Sequence, residues 1–194
     1  MNSNVHDMRT PPRRRLGREV LRTRRLSLHE LSLGDAAELL VLDRTPRVHE
    51  LLLDDHASSL DQGFAIVIWA SQFYRQHPGL GIWSTYDAER RFIGTFSLMP
   101  VDGGDVEIGV RLLPAHWGRG YPLEAGHALC AHAFDTLQLP RLIGLVHPDN
   151  RGARLALRRL GFGEDGECLH FGKPALRHVL DSSDWHRNAG RLSR

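Results

Sequence analysis

The feature that most constrains this chain is the stretch 105–124, in which a strand, a glycine turn and a helix follow one another directly. From Val106 to Leu112 every second residue is apolar, which is the period of a half-buried strand. The turn is Gly118-Arg119-Gly120. The helix is predicted to begin near Tyr121-Pro122, because proline suits a first helical turn.

Such a junction can bind an anion. The unpaired amides of the first helical turn point outward, and the helix dipole adds roughly half a positive charge there. Glycines let a phosphate approach the backbone closely, and Arg119 between them adds a full charge. An ordinary tight connection between a strand and a helix has the same pattern, so on its own the turn supports both interpretations about equally.

Composition indicates one domain, or one domain with tails, in a chain of 194 residues. No apolar run is long enough to span a membrane, and no signal-peptide segment opens the chain, so neither a membrane association nor export is expected. Cys130 and Cys168 stand outside any ligand spacing and indicate reduced thiols in a cytoplasmic protein. Cys130 falls within a predicted helix, which favours a small core residue over a nucleophile.

The histidines and arginines suggest two further kinds of site, which their spacing does not support. His127 and His132 are five residues apart and do not share a helix face, so no metal site is expected. Arginines cluster at the start of the chain without interleaved aromatic residues, so the sequence favours a solvated basic arm over a nucleic-acid surface.

The order of the predicted elements indicates a mixed α/β sheet with helices on both faces. We expect a disordered basic arm over 1–18, one domain over 19–186 and a basic C-terminal tail over 187–194. The predicted strands cover 20–28, 80–86, 91–99, 106–113 and 142–146, followed by one or two edge strands up to about 180. The predicted helices cover 36–43, 47–53, a stretch to about 75 that Ser58 or Ser59 caps, a stretch from about 121, and 151–160; Asp184-Trp185 is placed in the tail.

Several phrases, in this order and spacing, resemble the Gcn5-related N-acetyltransferase (GNAT) superfamily. The glycine turn follows one strand, and Asn150 with Leu160-Gly161-Phe162 follows the next. Val106-Glu107-Ile108-Gly109 and Trp117-Gly118-Arg119-Gly120-Tyr121 are similar to the branch of Rim-type N-terminal acetyltransferases of ribosomal proteins. The resemblance implies a single GNAT-like domain whose twisted, mostly antiparallel sheet splays between two adjacent parallel central strands.

The resemblance also implies acetyl-CoA as the acetyl donor, used as a co-substrate without a metal, and an amine as the acceptor. In the family a glycine turn holds the CoA diphosphate, pantetheine bonds to the splayed strand, and an asparagine lies near the thioester. The cofactor-binding residues implied here are Arg111, Leu112, Leu113, Trp117, Gly118, Arg119, Gly120, Tyr121, Pro122 and Asn150.

Three positions depart from the family pattern. Ala115 stands where a basic or amide residue usually contacts the diphosphate, and Ala153 stands where a serine is common. No tyrosine follows Asn150 within the next helix, so the residue that protonates the leaving thiolate stays unassigned.

Acetyl transfer needs a base for the amine and a donor for the oxyanion. Glu107 is the candidate base, although a solvated carboxylate or a partner for Arg111 would look the same in sequence. A backbone amide near Leu112 is the candidate oxyanion donor. Asn150 either contacts the donor or caps the following helix. Acceptor-pocket and core roles both remain open for Trp83, Trp69 and Phe64.

The leading functional hypothesis is acetylation of a protein N-terminus, with a small amine such as an antibiotic or a polyamine as the nearest alternative acceptor. A nucleotide-binding oxidoreductase is disfavoured because Leu123 occupies the third glycine position of a dinucleotide-binding turn. A binding module that holds CoA without turnover, or that uses the arginine arm on nucleic acid, is a third class. A homodimer remains open.

Overall fold

The computed structural model describes residues 15–53 and 59–192, and these form one mixed sheet flanked by helices. The strands are β1 (Glu19–Arg22), β2 (Leu26–Glu30), β3 (Gly81–Asp87), β4 (Phe92–Pro100), β5 (Val106–Leu112), β6 (Arg141–Val146), β7 (Gly163–His170) and β8 (Lys173–Asp181). The helices are α1 (Ala36–Arg44), α2 (Pro46–His49), α3 (Leu60–Gln76), α4 (Tyr121–Ala131), α5 (Arg151–Leu160) and α6 (Ser182–Leu192).

The sheet is antiparallel apart from one central pair. Its strand order is β1-β2-β3-β4-β5-β6-β8-β7. β5 and β6 run parallel, and α4 provides the crossover that a parallel pair requires. The expected mixed and mostly antiparallel α/β architecture is therefore confirmed.

Apolar clusters cover both faces of the sheet. Neighbouring residues of β3 show this, because Trp83 belongs to the cluster under α4 and α5 while Ile82 packs against the cluster of α1 and α3. Cys130 of α4 lies in the larger cluster, as expected of a core residue. Burial raises the pKa of its thiol to about 12, so it carries no thiolate near neutral pH.

The start of the domain differs from the sequence prediction. The single strand expected over 20–28 is a hairpin of β1 and β2, whose turn is closed by the Leu26 amide donating to the Thr23 hydroxyl at 3.0 Å. No glycine or proline marks this turn, so the sequence pattern over 20–28 is that of one continuous strand. Residues 1–14 of the expected arm lie outside the described residues. The next few residues pack on the domain, since Leu16 contacts an apolar cluster and the Glu30 amide donates to the Arg18 carbonyl at 2.9 Å.

The end of the domain also differs. β8 lies between β6 and β7 rather than at an edge of the sheet, because its residues pair with both strands. A tail was expected from 187, but α6 continues to Leu192. Trp185 of this helix packs its ring 5.8 Å from Phe134 and contacts the large apolar cluster. The apolar contact, which sequence periodicity did not indicate, gives this polar helix its place on the domain.

The remaining helices lie close to their expected positions. α3 begins after Ser59, whose hydroxyl accepts from the Gln62 amide, and α2 is shorter than the expected 47–53. Across the described part of the chain, no helix combines the length and the apolar character that crossing a bilayer would need.

Truncating Trp185 should reveal how much α6 contributes. We expect Trp185→Ala to lower the free energy of unfolding by about 2 kcal/mol, below the roughly 3–5 kcal/mol typical of a fully buried aromatic residue. Urea unfolding followed by circular dichroism measures this change. Arg187→Ala in the same helix is the control and should change stability by less than about 0.5 kcal/mol. An unchanged urea midpoint for Trp185→Ala would show that α6 adds nothing to the core.

Candidate active site

A gap opens between the parallel strands β5 and β6. Within the described residues, the two strands pair only at Glu107 and Ile143, near their beginnings. Farther along β5, Val110 is 41% exposed although its strand is central in the sheet. The expected splay is therefore present, and it leaves the later part of β5 accessible along its β6 side.

The register of β4 and β5 determines which backbone groups face this gap. The Leu113 amide donates to Ile93 at 3.0 Å, and the Asp105 carbonyl accepts from Val101 at 2.9 Å. Because bonded and non-bonded pairs alternate along an antiparallel ladder, odd-numbered residues of β5 bond to β4. The N–H and C=O groups of Val110 and Leu112 consequently point toward the gap. The Leu112 carbonyl accepts from the Trp117 indole at 2.7 Å, as this direction requires.

This geometry divides the strand residues that were expected to bind pantetheine. Leu112 directs its backbone into the gap, whereas the Leu113 amide is already bonded to β4. The alternation places the Arg111 backbone on β4 too, and its side chain pairs with Asp43 of α1 at 3.0 Å. Sequence reasoning did not include Val110 among the residues whose backbone faces the gap. The hairpin turn before β5 was the signal that could have indicated it, because a turn fixes the register of the strand that follows.

The glycine turn is open at its surface. Gly118 and Gly120 have φ values of 71° and 76°, a left-handed conformation that glycine adopts without strain. A Cβ added at Gly118 would meet nothing within 4 Å, so the backbone there is open to close approach. Gly120 caps α4 and leaves the amides of the first turn pointing outward. Pro122 has no N–H to donate, so it contributes only to the shape of this turn. The Leu123 N–H is a further first-turn amide that points outward, and sequence reasoning did not include it.

Glu124 attaches the glycine turn to the distant hairpin of β1 and β2. Its carboxylate accepts from the Thr23 hydroxyl at 2.6 Å and from the Arg25 amide at 2.7 Å, and it pairs with the Arg25 guanidinium. Burial acts to raise the pKa of Glu124, but the hydrogen bonds from Thr23 and Arg25 and the Arg25 charge outweigh it. The pKa of Glu124 is therefore lowered, and the carboxylate is ionised at neutral pH.

Asn150 has the helix-capping role that was one of its two interpretations. Its Oδ1 accepts from the Ala153 amide at 3.1 Å at the start of α5. Its Nδ2 makes no hydrogen bond to the residues that the structure describes. A contact between Nδ2 and bound acetyl-CoA is compatible with this cap, and it stays a prediction.

Comparison with known proteins identifies the family. The sequence model of the acetyltransferase (GNAT) domain matches residues 25–163. The chain belongs to the GNAT family. Its glycine turn, open strand and splayed sheet are accordingly parts of an acetyl-CoA-dependent N-acetyltransferase.

Relatives and solved structures agree with this assignment. The chain is 27% identical over 163 residues to the uncharacterized N-acetyltransferase p20 of Bacillus licheniformis, an alignment that covers 83% of this chain and 92% of p20. An acetyltransferase from Agrobacterium tumefaciens superposes with a TM-score of 0.70 at 26% identity, covering 87% of this chain and 98% of that one.

Two more distant structures share the fold alone. RimJ of Mycobacterium smegmatis in complex with CoA-disulfide gives a TM-score of 0.68 at 18% identity, covering 86% of this chain and 90% of RimJ. Spermidine N-acetyltransferase of Vibrio cholerae in complex with CoA and spermine gives 0.67 at 19% identity, covering 83% and 98%. The family model over residues 25–163 is what places the chain in the superfamily, and these two structures add agreement in fold.

The residues suggested for the acceptor pocket and for the base of this GNAT enzyme differ in how deeply they are buried. Trp83 is 1% exposed and belongs to the core, whereas Phe64 and Trp69 of α3 are 36% and 42% exposed. Glu107 is half-buried on β5, at the position where the described part of β5 pairs with β6, before the gap opens. In the described ranges, no cluster of three or more histidine, cysteine or acidic residues could hold a metal ion.

The ionised state of Glu124 predicts a pH-dependent stability. Because its pKa is lower in the folded state, the stabilisation is present above its unfolded pKa of about 4.3 and is lost as the pH falls through the folded value. We expect Glu124→Gln to be less stable than the parent at pH 7 and to lose less stability between about pH 5 and pH 3. Urea unfolding at each pH measures this. The control is Glu50→Gln, since Glu50 is exposed just after α2, and this variant should show the pH dependence of the parent. Identical pH slopes for the parent and Glu124→Gln would contradict the prediction.

Proposed function

We propose that this GNAT enzyme transfers the acetyl group of acetyl-CoA to the α-amino group of a protein N-terminus, as Rim-type enzymes do. The observation that carries the proposal is the cation of Arg47 beside Trp117, the residue just before the glycine turn. The Arg47 guanidinium of α2 lies 4.7 Å from the Trp117 ring centroid, whereas the charge of Arg111 on β5 is paired with Asp43 at 3.0 Å.

This cation disfavours an acceptor that carries several positive charges. A polyamine or an aminoglycoside antibiotic would meet Arg47, and the Asp43 carboxylate, which could attract it, is paired with Arg111. An extended N-terminal peptide has one amine and many carbonyl groups, and carbonyls accept hydrogen bonds from arginine and lysine. The CoA and spermine bound to the Vibrio cholerae enzyme make a polyamine the alternative that a test must address.

The ease of deprotonation also favours an α-amino group. Its pKa is about 7.7–8.0, whereas a lysine side chain has a pKa of about 10.4. A single carboxylate such as Glu107 can therefore collect the proton of an α-amine near neutral pH, directly or through water. A lysine or polyamine nitrogen would need a stronger base.

The donor would be held by backbone groups on both sides of Trp117. The amides of Gly118, Arg119, Gly120, Tyr121 and Leu123 and the Arg119 side chain would bind the diphosphate. Leu112 would bond to pantetheine across the gap, and the Nδ2 of Asn150 would reach it from the opposite side. This assignment omits the Leu113 amide, which is bonded to Ile93.

Val110 is the better-placed oxyanion donor. At about 3.3 Å per residue, Val110 lies about 10 Å along β5 from Glu107, and Leu112 about 16 Å. The amine nitrogen attacks the thioester carbon, the base takes the proton of the amine, and the donor amide bonds to the carbonyl oxygen, so all three groups must lie around one thioester. The nearer amide, that of Val110, therefore suits the tetrahedral intermediate, and Leu112 suits pantetheine. α5 has the sequence RGARLALRRL and offers no hydroxyl, thiol or phenol, so the proton of the leaving thiolate does not come from this helix.

An acceptor screen tests the proposed substrate. Purified enzyme and acetyl-CoA would be given peptides with a free N-terminus, the same peptides blocked at the N-terminus with a free lysine, and spermine, while thiol release is followed. The proposal requires transfer to the free N-terminus alone or at a much higher kcat/KM. Preferred transfer to spermine would overturn it, and CoA binding without transfer to any amine would indicate a binding module.

Glu107→Gln tests the base. Removing the carboxylate should lower kcat by about 100-fold at pH 7 and leave the KM for acetyl-CoA within about twofold, because general-base catalysis contributes roughly 10²–10⁴-fold. Steady-state kinetics from pH 6 to pH 9.5 measure this, and the loss should shrink at high pH, where the amine is already neutral. The control is Glu89→Gln in the turn after β3. Equal kcat values for Glu107→Gln and the parent at pH 7 would remove Glu107 from the mechanism.

A further inference from the structure

Arg25 contacts the glycine turn and the start of α4 at three separate points. Its Nη1 donates to the Arg119 carbonyl at 3.0 Å, and its guanidinium carbon lies 4.8 Å from the centroid of the Tyr121 ring. Its Nε donates to the Glu124 carboxylate. One side chain from the turn between β1 and β2 therefore spans residues 119 to 124.

The contact with the Arg119 carbonyl fixes the direction of the next amide. In a trans peptide, the C=O of one residue and the N–H of the following residue point in opposite directions. No peptide bond among the described residues is cis. Holding the Arg119 carbonyl toward Arg25 therefore directs the Gly120 N–H away from Arg25, which leaves this amide available to a ligand at the start of α4.

The turn has few other restraints at this position. Glycine on either side of Arg119 permits many backbone conformations, and Ala115 has no polar group that could contact a diphosphate or the turn. A flexible turn would lose entropy on binding an anion, whereas a turn already held in place loses less.

We propose that Arg25 is the positioning residue of the diphosphate turn. It acts through the peptide between Arg119 and Gly120 rather than by contacting the acetyl group. Glu124 holds the guanidinium in place, and the cost of losing the basic or amide side chain at Ala115 is offset from a distant part of the chain. This inference rests on the proposed binding of the CoA diphosphate at the turn.

The test compares donors that contain and lack the diphosphate. S-acetylpantetheine has the thioester arm without the diphosphate, and acetyl-dephospho-CoA keeps the diphosphate without the 3′-phosphate. For Arg25→Gln we expect kcat/KM to fall about tenfold with acetyl-CoA and with acetyl-dephospho-CoA, the size of one lost charge-assisted hydrogen bond. With S-acetylpantetheine, kcat/KM should stay within twofold of the parent.

A second variant covers the outcome that Arg25→Gln does not fold. Arg25→Lys keeps a charge for Glu124 but cannot reach the carboxylate and the Arg119 carbonyl together, so it should show the same dependence on the donor with a smaller loss. Arg22→Gln, at the exposed end of β1, is the matched control and should behave as the parent with all three donors. Circular dichroism and the urea midpoint establish folding.

The outcomes separate the inference from its premise. Equal losses with all three donors would mean that Arg25 only stabilises the fold, and a loss confined to acetyl-CoA would move its role to the 3′-phosphate; either result overturns the inference. So does a folded Arg25→Lys variant with parental kcat/KM on every donor. If the parent itself uses S-acetylpantetheine as well as acetyl-CoA, the proposed diphosphate site is what fails.

Discussion

The site depends on β5 being bonded along one side and open along the other. β4 bonds to the odd-numbered residues of β5, and in the part of the chain that the structure describes β6 pairs with β5 only at Glu107. Unpaired backbone groups inside a sheet are unfavourable unless something bonds to them. The Trp117 indole bonds to the Leu112 carbonyl, and in our proposal the pantetheine arm of the acetyl donor bonds to the Leu112 amide.

A second dependence joins the start of the domain to the glycine turn. The two glycines leave the backbone of the turn open at its surface. Glu124 and Arg25 hold the turn through contacts between the β1–β2 hairpin and the start of α4. Asp43 of α1 pairs with Arg111 of β5, and Arg47 of α2 packs on Trp117, so α1 and α2 also contact the open strand and the residue before the glycine turn.

Sequence reasoning was accurate where the signal is local. The beginning of α4 at Tyr121-Pro122 and the end of α5 at Gly161 are present as expected, and Ser59 is the one of the two expected serines that caps α3. Each of these features depends on residues a few positions apart. It was inaccurate where a contact comes from far along the chain. The hairpin turn of β1 and β2 and the attachment of α6 through Trp185 have no local signature in the composition of their segments.

The sequence by itself determined the family, the order of the elements from β3 to α5 and the two glycines of the turn, since these follow from motifs and periodicity along the chain. The tertiary structure decided which backbone groups are available: it excluded the Leu113 amide, added Val110 and assigned the Oδ1 of Asn150 to a helix cap. It also brought Thr23 within 2.6 Å of Glu124, 101 residues away in sequence. Strand register and contacts of this kind are set by the packing of the whole sheet, and no stretch of sequence contains them.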